Sequence, residues 1–335
     1  IGLLRDALRR TGARVGLGSD IRWRSPGPHY EYRQRLRLHV APGGSVGLRS
    51  PGSSRIVPVD RCLVARPSVN AALAVLEALG RTARDSLGCF DTIEVRAASE
   101  PPEATFRVTP RCSRSGYPAP LADALRELGP VVVQATREDR EVVQLYGLPR
   151  GVTLEAPVSA FTQVNPEVNA ELVEVVVGAA EHRGVRTFLE PYAGAGNFTL
   201  PLLRAGLSGR ACDSNAAAIG SARRAARRQG LPFDGFDVAD AGCWLRQTAR
   251  SGANADLVLL DPPRRGARDE LAAAMALASR AIALVACDPV SLARDLRVLD
   301  AAGWHPEFLA AFDMFPQTHH VETLAWLTRA SRRAD

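Results

Sequence analysis

The chain has no lysine: all 42 of its basic residues are arginine, so every cation it carries is a planar fork suited to bidentate contact with carboxylate or phosphate. No apolar run approaches the roughly 20 residues a membrane span requires, and nothing resembles a secretory leader. The expected setting is therefore the cytoplasm, away from membranes. The six cysteines, Cys62, Cys89, Cys112, Cys212, Cys243 and Cys287, include no C-x-x-C pair and no histidine at finger-like offsets. That argues against a zinc or iron-sulfur site built from this chain. The dinucleotide fingerprint G-x-G-x-x-G is also missing. Methionine is absent from position 1, where Ile1 stands, and a trimmed front is expected.

What is present is ordinary globular material: 335 residues, 46% hydrophobic and 23% charged, enough for at least one large core and with two smaller ones expected. The net charge is +6, and residues 1 to 60 hold eleven arginines against four acids, so the front is basic and the rest nearly neutral. An arginine-rich composition also follows from a GC-rich genome, but a local surplus favours a polyanionic partner.

Residues 1–150 mix short alternating runs, Arg35 to Val40, Thr92 to Arg96 and Thr105 to Val108, with helical spacing over Val69 to Leu87 and Leu121 to Leu128. This predicts a smaller α+β domain. Gly147 to Pro157, with two glycines and two prolines, reads as a linker or crossover. Residues 151–335 then alternate strand and helix. Strands are predicted at 186–189, 208–212, 255–260, 281–286, 308–312 and 321–327, with helices such as 169–182, 215–229, 268–279 and 291–302 between them. The pattern predicts an α/β, doubly wound, mostly parallel Rossmann-like sheet.

Polar residues fall just after those strands: Glu190 and Tyr192, Asp213, Asp261, then Cys287. Open α/β sheets bind ligands at that edge, so one site built from all of them is the economical reading. Gly194-Ala195-Gly196 forms a turn between strand and helix, and Asp213 ends the next strand, where a ribose diol could be bound. An adenosyl group without pyrophosphate fits this better than NAD. Asp261-Pro-Pro-Arg-Arg-Gly266 fixes a carboxylate on a rigid loop that can line a pocket for a flat ring. Cys287 closes an apolar run, and Glu322 stands just inside another, a thiol and a carboxylate suited to nucleophile and base. His319 and His320 would point to opposite faces of a strand, which makes a shared metal improbable and leaves them to orient Glu322 or touch a ligand. Arg223, Arg224, Arg227 and Arg228 read as a solvated helix face, and Trp23 between Arg22 and Arg24 as a stacking platform.

Five stretches in order, Phe161-Thr-Gln-Val-Asn165, Tyr192 to Leu200, Asp261 to Gly266, Cys287-Asp-Pro-Val-Ser-Leu-Ala-Arg-Asp295 and Asp313-Met-Phe-Pro-Gln-Thr-His-His-Val-Glu322, give a chain that resembles the S-adenosylmethionine-dependent RNA uracil-C5 methyltransferases. The resemblance covers most of the chain. It implies S-adenosyl-L-methionine as cofactor, RNA as substrate, a smaller domain that binds RNA, and a flipped uridine. It also implies that Gln163, Tyr192, Asn197, Asp213 and Asp261 contact the cofactor, that Cys287 is the nucleophile and that Glu322 removes the C5 proton. The Asp-Met-Phe-Pro form of the last stretch is more like the ribosomal members, favouring 23S rRNA with tRNA second. No obligate protein partner is implied. Many members add an amino-terminal β-barrel and a four-cysteine iron-sulfur cluster, neither visible in this sequence.

Departures from the pattern keep two other readings open. Asp288 stands where the family has Asn, Asp213 where it has Glu, and Gln317 where His is frequent. A carboxylate at 288 is expected to raise the Cys287 pKa unless an arginine such as Arg294 compensates. The alternatives are an RNA-binding or assembly protein that keeps the cofactor pocket with little turnover, and a methyltransferase acting on another RNA base.

Overall fold

Among the described residues strand propensity is realised in sixteen strands: β1 (Arg22–Arg24), β2 (Arg35–Val40), β3 (Val46–Arg49), β4 (Ile56–Pro58), β5 (Phe90–Ala97), β6 (Ala104–Pro110), β7 (Val131–Val133), β8 (Val143–Leu148), β9 (Val152–Pro157), β10 (Thr187–Pro191), β11 (Ser208–Asp213), β12 (Phe236–Val238), β13 (Ala255–Leu260), β14 (Ala278–Ala286), β15 (Trp304–Phe312) and β16 (Glu322–Arg329). The computed structural model describes residues 2–11, 21–82, 84–98, 104–110, 131–133, 142–231 and 234–329. The expected helix 121–128 and Cys112 lie outside these residues.

The chain divides into two units, Ile1–Gly27 with Gly147–Glu155 and Glu167–Asp335, and Pro28–Tyr146 with Ala156–Pro166. This corrects the single boundary near residue 150. Arg22–Arg24 joins the larger unit because β1 pairs in parallel with β15, Arg22 against Ala310 and Arg24 against Phe312. The expected linker is instead a ribbon of β8 and β9, turned by Pro149–Gly151. At that turn Arg150 takes a left-handed φ of 64°, a conformation that costs a non-glycine residue energy. Its guanidinium is gripped by Glu174 at 2.7 Å and Glu181 at 2.8 Å, which holds it there.

In the smaller unit a sheet of order β4-β3-β2-β5-β6-β7 is mainly antiparallel. Its strands alternate: Leu36, Leu38, Ile93, Val95, Phe106 and Val108 are buried in one core. The helix Pro67–Thr82 covers that face with Val69, Ala72, Leu73 and Leu76, the i, i+3, i+4, i+7 stripe of an amphipathic helix.

In the larger unit the sheet runs β1-β15-β16-β14-β13-β10-β11-β12. The expected mostly parallel, Rossmann-like sheet is present: β10 to β14 pair in parallel, and β16 alone runs antiparallel to its neighbours β14 and β15. The chain moves outward from β10 to β11 and β12, then returns to the other side of β10 with β13. That reversal opens a crevice at the carboxyl ends of β10 and β13. Sequence alternation missed the three-residue strands β1 and β12, and Thr199–Arg204 and Ala241–Arg250 are further helices. No helix among the described residues is long and apolar enough to cross a membrane.

Candidate functional site

The carboxyl edge of the parallel strands collects the polar residues. Glu190 is the penultimate residue of β10, Asp213 ends β11, Asp261 follows β13 and Cys287 follows β14. Because β16 is antiparallel, its first residue, Glu322, comes to the same edge. The register makes this concrete: Ala286 pairs with Thr323, and the next position in that register sets Cys287 opposite Glu322. The two are near enough for the Glu322 charge to oppose ionisation of the thiol.

Burial pushes the Cys287 thiol up to about 11, with Glu322 adding to the rise and Arg264 opposing it. Burial and the neighbouring Asp261 hold the Glu322 carboxyl well above the usual carboxylate range, and Arg264 again opposes. Asp261 is itself pushed up to about 7 by burial. Two carboxyls and a thiol thus share a low-dielectric pocket with one cation, Arg264, acting on both Cys287 and Glu322. That is an arrangement in which the thiol and Glu322 keep their protons more tightly than usual, with Arg264 working against the shift.

Asp288, expected to burden the thiol, has another task. Its side chain caps the helix Pro289–Ala301, Oδ2 accepting from the Ser291 amide at 2.8 Å. Glu322 and Asp261, not Asp288, are the carboxylates that raise the Cys287 pKa. Arg294, expected to compensate, donates instead to the Arg265 carbonyl at 2.6 Å and lies against Asp295. With the Ala267 amide donating to Asp295 at 2.8 Å, the helix after Cys287 locks the loop after Asp261.

The glycine turn is equally anchored. Asp213 accepts from the Gly194 amide at 2.9 Å and the Asn215 amide at 2.8 Å, which leaves lone pairs on both oxygens for a diol. Gly194 has φ +56° and nothing within 4 Å of where a Cβ would stand, whereas a Cβ on Gly196, φ +94°, would meet Leu200 at 3.0 Å. One glycine keeps a surface open; the other permits the following helix to pack. Asn197 exchanges two hydrogen bonds with Asn169, at 2.8 and 3.0 Å, so its amide braces the turn against the helix Pro166–His182. Tyr192 adopts φ 67°, and its hydroxyl receives a hydrogen bond from Arg265 at 3.3 Å.

Glu190 was named in the sequence only as one of the edge residues, yet it is the most distinctive buried group. It lies on β10, between the strands that carry Asp261 and Asp213, and accepts a hydrogen bond from Thr199. Its other oxygen, Oε1, is buried with no partner among the described residues. Burial pushes it up to about 8, the Thr199 hydrogen bond opposing and the two aspartates adding to the rise. An orphaned buried carboxyl oxygen, an open glycine and a diol acceptor fit a ligand with an amine and a ribose.

Gln163 belongs to the smaller unit, where its carbonyl accepts from Gln34 Nε2 at 2.8 Å. The other six predicted residues are in the larger unit. Sequence reasoning missed Arg264 as the cation acting on Cys287 and Glu322, though its place three residues after Asp261 was available as a signal; Thr199 and Arg265 stood inside two of the quoted stretches without a role, and Asn169 was marked only as the start of a helix. It also misplaced the histidines: residues 313–321 form turns, not strand, so alternation does not apply and the His319 and His320 rings lie together at 4.2 Å. Among the described residues no group of histidine, cysteine and carboxylate could hold a metal ion.

A sequence model described as tRNA (Uracil-5-)-methyltransferase matches residues 245–330. A Pseudomonas putida protein named 23S rRNA (uracil(1939)-C(5))-methyltransferase RlmD is 30% identical over 330 residues, covering 90% of this chain and 69% of that protein. The protein of that name from Nitrosococcus oceani is 32% identical over 327 residues, covering 89% and 70%. Among solved structures, that of the Pyrococcus abyssi tRNA (uracil-54, C5)-methyltransferase with S-adenosyl-L-homocysteine superposes with a TM-score of 0.74 at 22% identity, covering 98% of this chain and 83% of that one. That likeness concerns the fold.

Proposed function

The chain belongs to the RNA uracil-C5 methyltransferase family and is an S-adenosyl-L-methionine-dependent enzyme of that class; on that premise we propose that it methylates a uridine of 23S rRNA through a covalent bond between Cys287 and C6 of the base. The observation that carries the reading is that the β14–β16 register, ending at Ala286 opposite Thr323, brings Cys287 and Glu322 to one sheet edge, near enough for the Glu322 charge to act on the thiol.

Uracil C5 is too weak a nucleophile to take a methyl group unaided. Cys287 releases its proton to solvent and adds as thiolate to C6, and the electron pair of the C5–C6 double bond is left at C5. S-adenosylmethionine supplies an electrophilic methyl group. C5 then bears both methyl and hydrogen; Glu322 removes that proton, the electron pair re-forms the C5–C6 double bond, and the Cys287 sulfur leaves. Arg264 favours the charged forms of both residues. Asp213 is suited to the ribose diol and Glu190 to an ammonium, with Gln163, Tyr192, Asn197 and Asp261 as further cofactor contacts. The uridine must leave its stack to reach a half-buried thiol at the sheet edge, so a flipped base is part of the reading.

The preference for 23S rRNA rests on the names of the relatives and on the Asp313-Met-Phe-Pro316 sequence. Nucleoside mass spectrometry on separated 23S rRNA and tRNA, from cells with and without the protein, tests it. One 5-methyluridine should vanish from 23S rRNA; loss from tRNA alone would reassign the substrate.

A further inference from the structure

The sheet of the smaller unit has a second face that the core does not use. Cross-strand register sets Arg35 opposite Arg96, and Arg37 opposite Glu94, which in turn faces Arg107 on β6. Directly opposed residues share a face, as do residues two apart along a strand. Four arginines and one glutamate therefore stand together, and Arg33 joins them around a pocket of about 390 Å³ walled by Ser159, Ala160 and Phe161. Five positive charges against one negative leave a surplus of four.

Like charges directly opposite each other destabilise a sheet, and this sheet keeps an Arg35–Arg96 pair. Glu94 relieves only part of the crowding: it is buried and binds Arg96 at 2.7 Å and Arg37 at 3.4 Å. Arg96 also donates to the Ala160 carbonyl at 2.8 Å, and the Arg35 guanidinium lies 5.0 Å from the centre of the Phe161 ring. Burial, then the Arg96 charge, lower the Arg35 pKa to about 10 despite Glu94, and burial also lowers Arg107. Such a cluster carries a standing electrostatic cost that an anion would remove.

We propose that this pocket seats a phosphate of the RNA backbone, with Arg37 and Arg107 as its accessible donors and Arg35 and Arg96 completing the fork. The proposal rests on RNA being the substrate and adds where one phosphate is held. A phosphate fits better than a protein carboxylate because four guanidinium forks converge, and its oxygens accept from several at once.

The test uses the full chain and a fluorescein-labelled, uridine-rich hairpin RNA, with the dissociation constant followed against KCl concentration. Arg37→Ala and Arg107→Ala should each weaken binding and flatten the slope of log Kd against log salt by about 0.7–0.9, one phosphate contact's worth. Arg37→Lys should keep most of the slope, and Arg250→Ala, an exposed arginine on the larger unit, should leave it unchanged. A second measurement needs no variant: RNA should protect Arg37 and Arg107 from phenylglyoxal, and inorganic phosphate should do so only at high concentration. Wild-type slopes in both alanine variants, or no protection by RNA, would overturn the pocket while leaving methylation intact. Failure of the wild-type chain to bind or methylate any RNA would overturn the substrate reading and the pocket with it.

Discussion

At the scale of single residues, the chemistry is set by burial against charge. The Cys287 thiol at about 11 leaves on the order of one molecule in ten thousand as thiolate at pH 7, and Glu322 is also held toward its neutral form. In the proposed mechanism both groups must be ionised to act, so both shifts point the same way: kcat/KM for RNA should climb with pH from neutrality toward 9, by up to about tenfold per unit. A flat profile over that range would show that RNA or cofactor binding resets the thiol before attack. Removing the base without removing the nucleophile separates the two halves of the reaction. Glu322→Gln should still attach RNA to Cys287, yet release methylated product about a hundred- to ten-thousand-fold more slowly, seen as a protein–RNA band that persists on a denaturing gel.

At the scale of elements, position 288 shows why neighbouring in sequence is not neighbouring in charge. Asp288 turns its carboxylate to the start of the helix Pro289–Ala301, where an anion is favoured by the unsatisfied amides and the helix dipole. Asp288→Asn should therefore preserve the cap and leave the alkylation pH profile of Cys287 nearly unchanged. Asp288→Ala should cost about 1 kcal/mol of stability in thermal or urea unfolding. A large fall in the Cys287 pKa with Asn would mean that the carboxylate acts on the thiol after all. The same helix ties down the Asp261 loop through Asp295 and Arg294, so its cap contributes to the placement of two site residues at once.

For the whole molecule, three carboxyls gathered at one sheet edge, Glu190 and Glu322 buried and Asp261 half-buried, set a pH signature. Glu190 at about 8 and Asp261 at about 7, with Glu322 also raised, keep protons when folded that the unfolded chain releases near its ordinary carboxylate range. Stability should therefore fall as pH rises from about 4.5 toward 8. Glu190→Gln should shallow that decline, measured as Tm against pH; an unaltered slope would show that Glu190 is ionised in the fold. Much of this architecture was legible from the sequence. The unbroken apolar run Ala281–Ala286 located β14, the four apolar residues Leu257–Leu260 located β13, the alternation of strand and helix patterns located β10 and β11, and the residues after these strands named the edge. What could not be read was the partnership of short segments: three-residue strands such as β1 carry no periodicity, and their placement depends on β15, nearly 300 residues away in sequence. The turns around His319 and His320 likewise present no pattern to distinguish them from a strand. Arg264 stood in plain view, but only the packing of the Asp261 loop beside Cys287 gives its charge a target.

The most direct measurement of the central claim is intact-protein and peptide mass spectrometry after incubation with 5-fluorouridine RNA, in which fluorine replaces the proton Glu322 would remove. With S-adenosyl-L-methionine present, a stable adduct carrying the RNA and one methyl group should map to Cys287 and be absent from Cys287→Ala. Methylation of unmodified RNA by Cys287→Ala at an unchanged rate, or an adduct mapping to another cysteine, would contradict it.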